Sequence, residues 1–554
     1  MNKTLLLPFF FLLALQAFSQ RDFYNKFTFT KADTLRGKLS PERACYDVTY
    51  YDLHAALDID KKFIKGFVEI EFNVEADFSM MQIDLYENMS ISEITFYDKP
   101  LTFQRIHSAV MVHLPETLQK GEHHAIVVRY EGFPTSATNP PWDGGFVWSS
   151  DKNNNPWIAV ACEGDGASLW WPCKDHLSDE PDSMFIHVAV PTGLVAISNG
   201  NLWKARRGGN SLTEFHWFVS YPINNYNVSI NVGKYAHFAD TYHSPDGDSL
   251  ALDYYVLDYN VDKAKKHFQQ VKPMLACYEN YFGKYPFWND GYALVETPYL
   301  GMEHQSAIAY GNNYNRGYLG GMIPRDMEFD YLIIHESGHE YFGNAISTSD
   351  HADMWIHESF TTYMEALYVE CMMGYADAVR YLESQRPFIR NAEPIVGPKD
   401  VNFKDWNGSD HYFKGSWILH TLRNAIGDDE KFFGLLRAFY DKYKYKNCST
   451  EDFISFTNSY LGKDYSSFFE QYLYHANIPR IEIGLEQVGN DLKISYKWEA
   501  DVPNFDMPIK VGKKDSYTTI YPSAEGVRET ILPNLSKADF QVATELFYIR
   551  RKGL

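Results

Sequence analysis

Residues 335–359 read HESGHEYFGNAISTSDHADMWIHES. If the surrounding segment MEFDYLIIHESGHEYFGNAI is one helix, with Phe329, Leu332, Ile333, Tyr341 and Phe342 as apolar positions, His335 and His339 stand about 40° apart around its axis and roughly one turn along it. Both imidazoles then reach one point, and Glu336 leans over it, the pattern H-E-x-x-H. Zinc bound by two imidazoles needs a further protein donor and, for catalysis, an open position for water. Glu358 is the candidate. Eighteen residues separate it from His339, enough for the helix to end at Gly343-Asn344, a loop to cross through STSD, and a second helix, HESFTTYMEALYVECMM, to start with Glu358 in its first turn. One zinc per chain on His335, His339 and Glu358 is a catalytic set, since a structural site is closed by four protein ligands. Such sets activate water, and Glu336 is placed as the general base that takes a proton from it and passes it to a leaving amine. The competing reading is a polar helix whose histidines share a face by accident, which expects no third donor and no companion motifs.

The elements that must position these residues show as changes of period. In FVEIEFNV, Val68, Ile70, Phe72 and Val74 alternate with Glu69, Glu71 and Asn73, the pattern of a half-buried strand. Similar runs fill the first two hundred or so residues, broken by turns such as YEGFPTSATNPPWDGG. From about Val261 the spacing lengthens to three and four in DKAKKHFQQVKPMLACYENYFG, DDEKFFGLLRAFYDKYKYK and TEDFISFTNSYLGKDYSSFFEQYLYH, which read as helices. Past Ile478-Pro479 the alternation returns in Ile481, Ile483 and Leu485, turns at Gly489-Asn490-Asp491, and runs back through Leu492, Ile494, Tyr496 and Trp498 as a hairpin. The expected architecture is α+β and multidomain, with an antiparallel β domain over 20–240, a mostly helical domain over 241–478 and a small β-sandwich-like domain over 479–554.

A chain of 554 residues is too long for one core. Its net charge of −21 argues against nucleic acid or an anionic membrane as partner, since either needs a basic footprint. At the N-terminus, Lys3, the apolar run Leu5–Leu15 and the small residues of Ala17-Phe18-Ser19 form a secretory signal peptide over 1–19, cleaved after Ser19. The run is far shorter than the roughly 20 residues a membrane span needs. The expectation is an exported protein, periplasmic or secreted, with no membrane insertion after cleavage. Export permits disulfides, but Cys45, Cys162, Cys173, Cys277, Cys371 and Cys448 allow fifteen full pairings and the sequence does not choose.

Six segments resemble, in order, the aminopeptidase N and leukotriene hydrolase family of zinc peptidases, the gluzincins. WWPCKDHLSDEPDS resembles the family's PCFDEP signature, stretched by a few residues, and VAISNG its ALSNG strand. YFGKYPFWNDGYALVETPYLGMEH resembles the run into its exopeptidase motif. HESGHEYFGN, DMWIHESFTTYME and HYFKGSW complete the set, so the likeness runs from about Cys162 to about Tyr474. The resemblance implies a thermolysin-like catalytic domain and roles that spacing cannot give. Glu303 in GMEH and Glu163 in ACEGDG hold the substrate's free α-amine. Gly301 and Met302 line the substrate strand and the first side-chain pocket, and Tyr412 donates to the oxyanion. Two acids aimed at one spot repel unless a cation lies between them, and a peptide's amino terminus is that cation. There are departures. His304 replaces the family's asparagine, which bears on substrate range. His357 replaces another before the ligand glutamate and is read as structural. The helical domain that ends many members is not expected. His351, His411 and His420 read as surface or core.

The expected function is an exported, zinc-dependent aminopeptidase acting on peptides with a free N-terminus, with Glu336 as general base and Tyr412 stabilising the oxyanion. The alternatives are a thermolysin-like endopeptidase, which has no use for Glu163 and Glu303, and an inactive peptide-binding module, which expects a lost ligand or base. Oligomeric state is not legible.

Overall fold

The computed structural model describes residues 23–208, 211–514 and 516–552. The expected signal peptide, residues 1–19, lies outside them.

Alternation builds the largest sheet. Strand β1 (Tyr46–Asp58) buries Leu53, Ala55 and Leu57 and turns Asp52, His54 and Ala56 to the other face. Its neighbour Phe63–Val74 buries Val68, Ile70, Phe72 and Val74, each large apolar side chain adding roughly 1.5–3 kcal/mol. With β2 (Ser183–Pro191), β3 (Leu212–Val219) and four more strands they form an eight-stranded sheet. One seam departs from the antiparallel expectation: β1 and β2 run parallel, from Tyr50 opposite Ser183 to Ala56 opposite Ala189. Parallel pairing needs a long connection, and the chain between these strands supplies it by building other strands first. A second departure precedes β1, where Lys31–Gly37 is helical, started by reciprocal capping bonds between Thr30 and Asp33. This segment straps onto the helical half. Tyr24 and Phe27 pack edge-on against Phe403, and Gly37 lies so close to Val401 that a Cβ there would fall 2.2 Å from its carbonyl carbon.

Two further sheets lead to the site. Strand Pro156–Ala161 of a four-stranded sheet runs directly into Glu163. A five-stranded sheet, ordered Tyr235–His243, Ser249–Leu257, Tyr292–Glu296, Ile308–Tyr310 and Gly301–Met302, ends on the short edge strand that carries Gly301 and Met302. Beside it lie α1 (Tyr331–His339), α2 (Trp355–Met373) and α3 (Asp410–Ile426). The apolar run after Ser449 forms two helices, Thr450–Leu461 and Ser466–Leu473, parted at Gly462 with φ +62°. Cys277, on the helix Val271–Phe282, is disulfide-bonded to Cys371 near the end of α2. The other four cysteines are free and buried.

The C-terminal hairpin pairs Arg480–Val488 with Asp491–Glu499 across Gly489-Asn490. A four-stranded and a three-stranded sheet there enclose Trp498, Phe505 and Val511. They dock on the helices through the Tyr472 hydroxyl, which donates to the Tyr548 carbonyl at 2.8 Å, and Thr421 Oγ1, which accepts the Tyr548 N–H at 2.9 Å. Among the described residues, no helix is long and apolar enough to cross a membrane.

Candidate functional site

Where α1 starts and stops decides the site. Its N-cap is the buried Asp330, whose carboxylate accepts the Leu332 N–H at 2.9 Å, the Tyr310 hydroxyl at 2.6 Å and the Asn312 side-chain amide at 2.7 Å. An acid there satisfies orphan N–H groups and complements the helix dipole. The helix stops at His339, short of the break at Gly343-Asn344 that the sequence marks. The N–H groups of Asn344, Ala345 and Ile346 bond to carbonyls five residues back. Gly343, at φ +133°, turns the chain, a conformation glycine tolerates and other residues avoid. A short strand, Ile346–Thr348, follows.

Gly338 of α1 meets Thr361 of α2 closely enough that an added Cβ would fall 3.0 Å from Thr361 Cγ2. This approach brings Glu358, in the first turn of α2, to the two histidines. His335 Nδ1 lies 2.6 Å from Glu365 Oε1, and His339 Nδ1 lies 3.0 Å from the Phe342 carbonyl oxygen. Those acceptors take the Nδ1 protons, which leaves both Nε2 lone pairs free. The two Nε2 atoms are 3.2 Å apart, and Glu358 Oε2 is 3.5 Å from His335 Nε2 and 3.4 Å from His339 Nε2. Glu358 Oε2 is buried and lacks a hydrogen-bond partner. A tetrahedral ion with bonds of about 2.0–2.1 Å has ligand–ligand edges of about 3.3–3.4 Å. The donor set therefore fits zinc in chemistry and in size.

Sequence reasoning missed Glu365, although it stands seven residues after Glu358 on the same face of α2, two turns on. The Tyr381 hydroxyl and the Gln385 amide donate to it. Replacing Glu365 with Gln is expected to weaken zinc binding by about 10–100-fold, measured by competition with a chromophoric chelator. An unchanged affinity would deny Glu365 any part in holding His335.

Glu336 is buried beneath the edge strand. A Cβ on Gly301 would fall 2.7 Å from Glu336 Oε1, so glycine is what lets that strand pass over the carboxylate. Burial pushes the Glu336 carboxyl up to about 7, opposed by His335 and His339 and reinforced by Glu303. An oxygen of Glu303, an oxygen of Glu336 and a nitrogen of His339 all lie within 4.8 Å of one another. Glu303 is buried and accepts the Tyr226 hydroxyl at 3.1 Å. Its carbonyl accepts the Asn344 side-chain amide at 2.8 Å. Tyr226 was not singled out from the sequence, and Asn344 only as part of a helix break. Glu163 is half-buried nearby, and burial, then the Glu303 charge, pushes its carboxyl well above the usual range. Met302 is buried beside them. His304 is fully buried, held neutral by burial with its pKa down at about 3, and both ring nitrogens lack partners.

Tyr412 sits on α3, half-buried, with its ring 6.0 Å from that of His335. The Y-x-K-G spacing has a packing reason. A Cβ on Gly415 would fall 1.6 Å from Ser359 Oγ, and Ser359 Oγ donates to the His411 carbonyl at 2.6 Å. Glycine lets α3 close on α2, one turn beyond Tyr412. Lys414, buried, donates to the carbonyls of His475 and Ala476. His357 is fully buried, and its Nε2 accepts the Thr348 N–H at 2.9 Å, which fixes the strand after α1. His411 and His420 are buried; His351 is half-buried.

Comparison with known proteins follows this geometry. Residues 48–226 match the Peptidase M1 N-terminal domain and residues 266–472 the Peptidase family M1 domain. The chain is 24% identical to aminopeptidase B of Rattus norvegicus over 50% of this chain and 41% of that protein. It is 22% identical to aminopeptidase B of Homo sapiens over 66% and 55%, and 22% identical to tricorn protease-interacting factor F2 of Thermoplasma acidophilum over 79% and 54%. It spans about half the length of these curated relatives. Among solved structures, an M1 zinc metallopeptidase variant from Deinococcus radiodurans bound to a Tyr-Ser-Ala substrate superposes with a TM-score of 0.66 at 20% identity, covering 79% of this chain and 96% of that one. Legionella pneumophila aminopeptidase A in complex with aspartic acid gives 0.77 at 15% identity, covering 92% and 60%. At such identities the likeness establishes the fold.

Proposed function

The chain belongs to peptidase family M1, and on that premise we propose that it is a zinc-dependent aminopeptidase that removes residues from the free amino end of peptides. One observation carries the reading: the buried triangle of His335 Nε2, His339 Nε2 and Glu358 Oε2, with edges of 3.2–3.5 Å. Zinc, when bound, supplies a Lewis acid that polarises a carbonyl and lowers the pKa of water from 15.7 to about 7. The chain's own residues do the rest. Glu336 takes the proton from the attacking water and hands it to the leaving amine. Glu163 and Glu303 grip the α-ammonium, which sets the first peptide carbonyl beside Glu336. Tyr412 donates its hydroxyl hydrogen to the developing oxyanion. Burial, then the Glu358 charge, holds its pKa well above the ordinary value, so it remains a donor.

Replacing Tyr412 with Phe is expected to lower kcat by about 10²–10³ with KM nearly unchanged. Steady-state kinetics on an aminoacyl-arylamide check this, and full turnover would remove Tyr412 from the mechanism. The function itself is tested with a panel of aminoacyl-arylamides, with and without chelator. The proposal expects release of the arylamine from free-amine substrates and silence after chelation. No release from any member would sink it.

We also place the enzyme outside the cytoplasm, periplasmic or secreted. Lys3 with the apolar run Leu5–Leu15 supports this, as does the Cys277–Cys371 bridge, which oxidising compartments sustain. Cell fractionation that finds the protein in the cytosol with residues 1–19 intact would overturn that placement.

A further inference from the structure

The outward face of the eight-stranded sheet carries a second group of metal-binding side chains, none of them on α1, α2 or α3. Strands β1, β2 and β3 lie side by side, and their registers set His54 opposite His187 and His187 opposite His216. Three imidazoles thus form one row across three strands. Asp52, two residues before His54, shares their face. Aromatic rings fix the imidazole planes without offering hydrogen bonds. Phe67 stacks on His54 at 4.1 Å between centroids, and Phe185 packs at 4.3 Å from His187.

Asp52 Oδ1 lies 3.1 Å from His54 Nε2 and 2.9 Å from His187 Nε2. Neither contact has hydrogen-bond alignment, and this oxygen is buried without a hydrogen-bond partner. The other nitrogen of His187, Nδ1, touches His216 Nδ1. One proton serves that contact. With it on His187 Nδ1, the His187 Nε2 lone pair is bare and is directed beside the carboxylate oxygen, not at it. Like charge density at that distance repels unless a cation lies between.

We propose that Asp52, His54 and His187 form a second site for a divalent transition metal, separate from the hydrolytic centre, with His216 fixing the His187 tautomer. Imidazole nitrogen with a carboxylate suits copper(II), nickel(II) and zinc. The two carboxylate–imidazole edges of 2.9–3.1 Å with bonds of about 2.0–2.2 Å give angles near 90° at the ion, which suit copper(II) and nickel(II) better than tetrahedral zinc, and the general order of affinities puts copper(II) first. The four side chains are partly exposed, so the ion exchanges with solution and solvent fills its remaining positions.

The probe is copper(II), titrated into the zinc-loaded full chain with excess glycine present to suppress casual surface binding. Metal content is followed by mass spectrometry and ligation by electron paramagnetic resonance. The proposal expects one copper per chain added without loss of zinc, a Kd at or below about 1 μM, and nitrogen coupling from two imidazoles. A variant carrying His54→Gln and His187→Gln is expected to bind that copper at least about 100-fold more weakly, with aminoacyl-arylamide hydrolysis unchanged. His123→Gln, in a separate surface histidine–carboxylate pair with Glu71, leaves the copper in place. If the double variant fails to fold, as lost hydrolysis would reveal, the near-isosteric Asp52→Asn takes its place and is expected to weaken binding about tenfold or more. Copper that only displaces zinc, that lacks imidazole coupling, or that binds the folded variant as it binds the native chain overturns the proposal.

Discussion

Glu336→Gln yields a folded protein that keeps its zinc and loses about 10²–10⁴ in kcat, the share general base catalysis supplies. Glutamine has the shape of glutamate, so it still fits beneath Gly301, whose backbone leaves no room for more. His335, His339 and Glu358 keep their partners. What changes is the proton: an amide oxygen is a poor acceptor for one leaving water, and an amide has none to pass to the amine. Steady-state kinetics with metal analysis on the same sample check the result. Loss of zinc along with activity would make Glu336 a structural residue. Full turnover would place the base elsewhere.

Acetylating the amino end of a peptide lowers kcat/KM by about 10⁴, as expected when a site built to bind a polar group meets a substrate without it. Glu303 is buried, with the Tyr226 hydroxyl as its hydrogen-bond partner, and it has Glu163 as a neighbour of the same charge. A free α-ammonium compensates both acids, whereas an acetyl group leaves them crowded and unpaired. Glu303→Ala therefore costs the free peptide most of its advantage while leaving the acetylated one nearly unchanged. Paired rate measurements on the two peptides read this directly. Equal loss on both substrates would show that Glu303 shapes the site without recognising the amine.

Much of this was legible because it is periodic or local. The alternation of Val68, Ile70, Phe72 and Val74 is the buried face of a real strand, and the four-residue spacing of His335 and His339 places two imidazoles 3.2 Å apart. Glu358 needed only a helix start after the STSD loop, and α2 starts at Trp355, two residues before the expected His357, with Glu358 still in its first turn. What could not be read was set by long-range packing. The parallel seam between β1 and β2 depends on where a distant strand docks. The early end of α1 goes with hydrogen bonds that widen to five-residue spacing across Gly343. Tyr226 reaches Glu303 from 77 residues away, and no local pattern announces it. The Cys277–Cys371 pairing likewise waits on two helices meeting. The row of His54, His187 and His216 exists only in the register of three strands.

The most direct measurement strips the protein of metal and returns zinc in fractions of an equivalent while peptide hydrolysis is followed. Hydrolysis is predicted to start from nothing, rise linearly and level off when the first equivalent has bound, and Glu358→Gln is predicted to show no such rise. Hydrolysis at full rate by the metal-free chain, or no recovery when zinc is returned to the folded protein, would contradict the account.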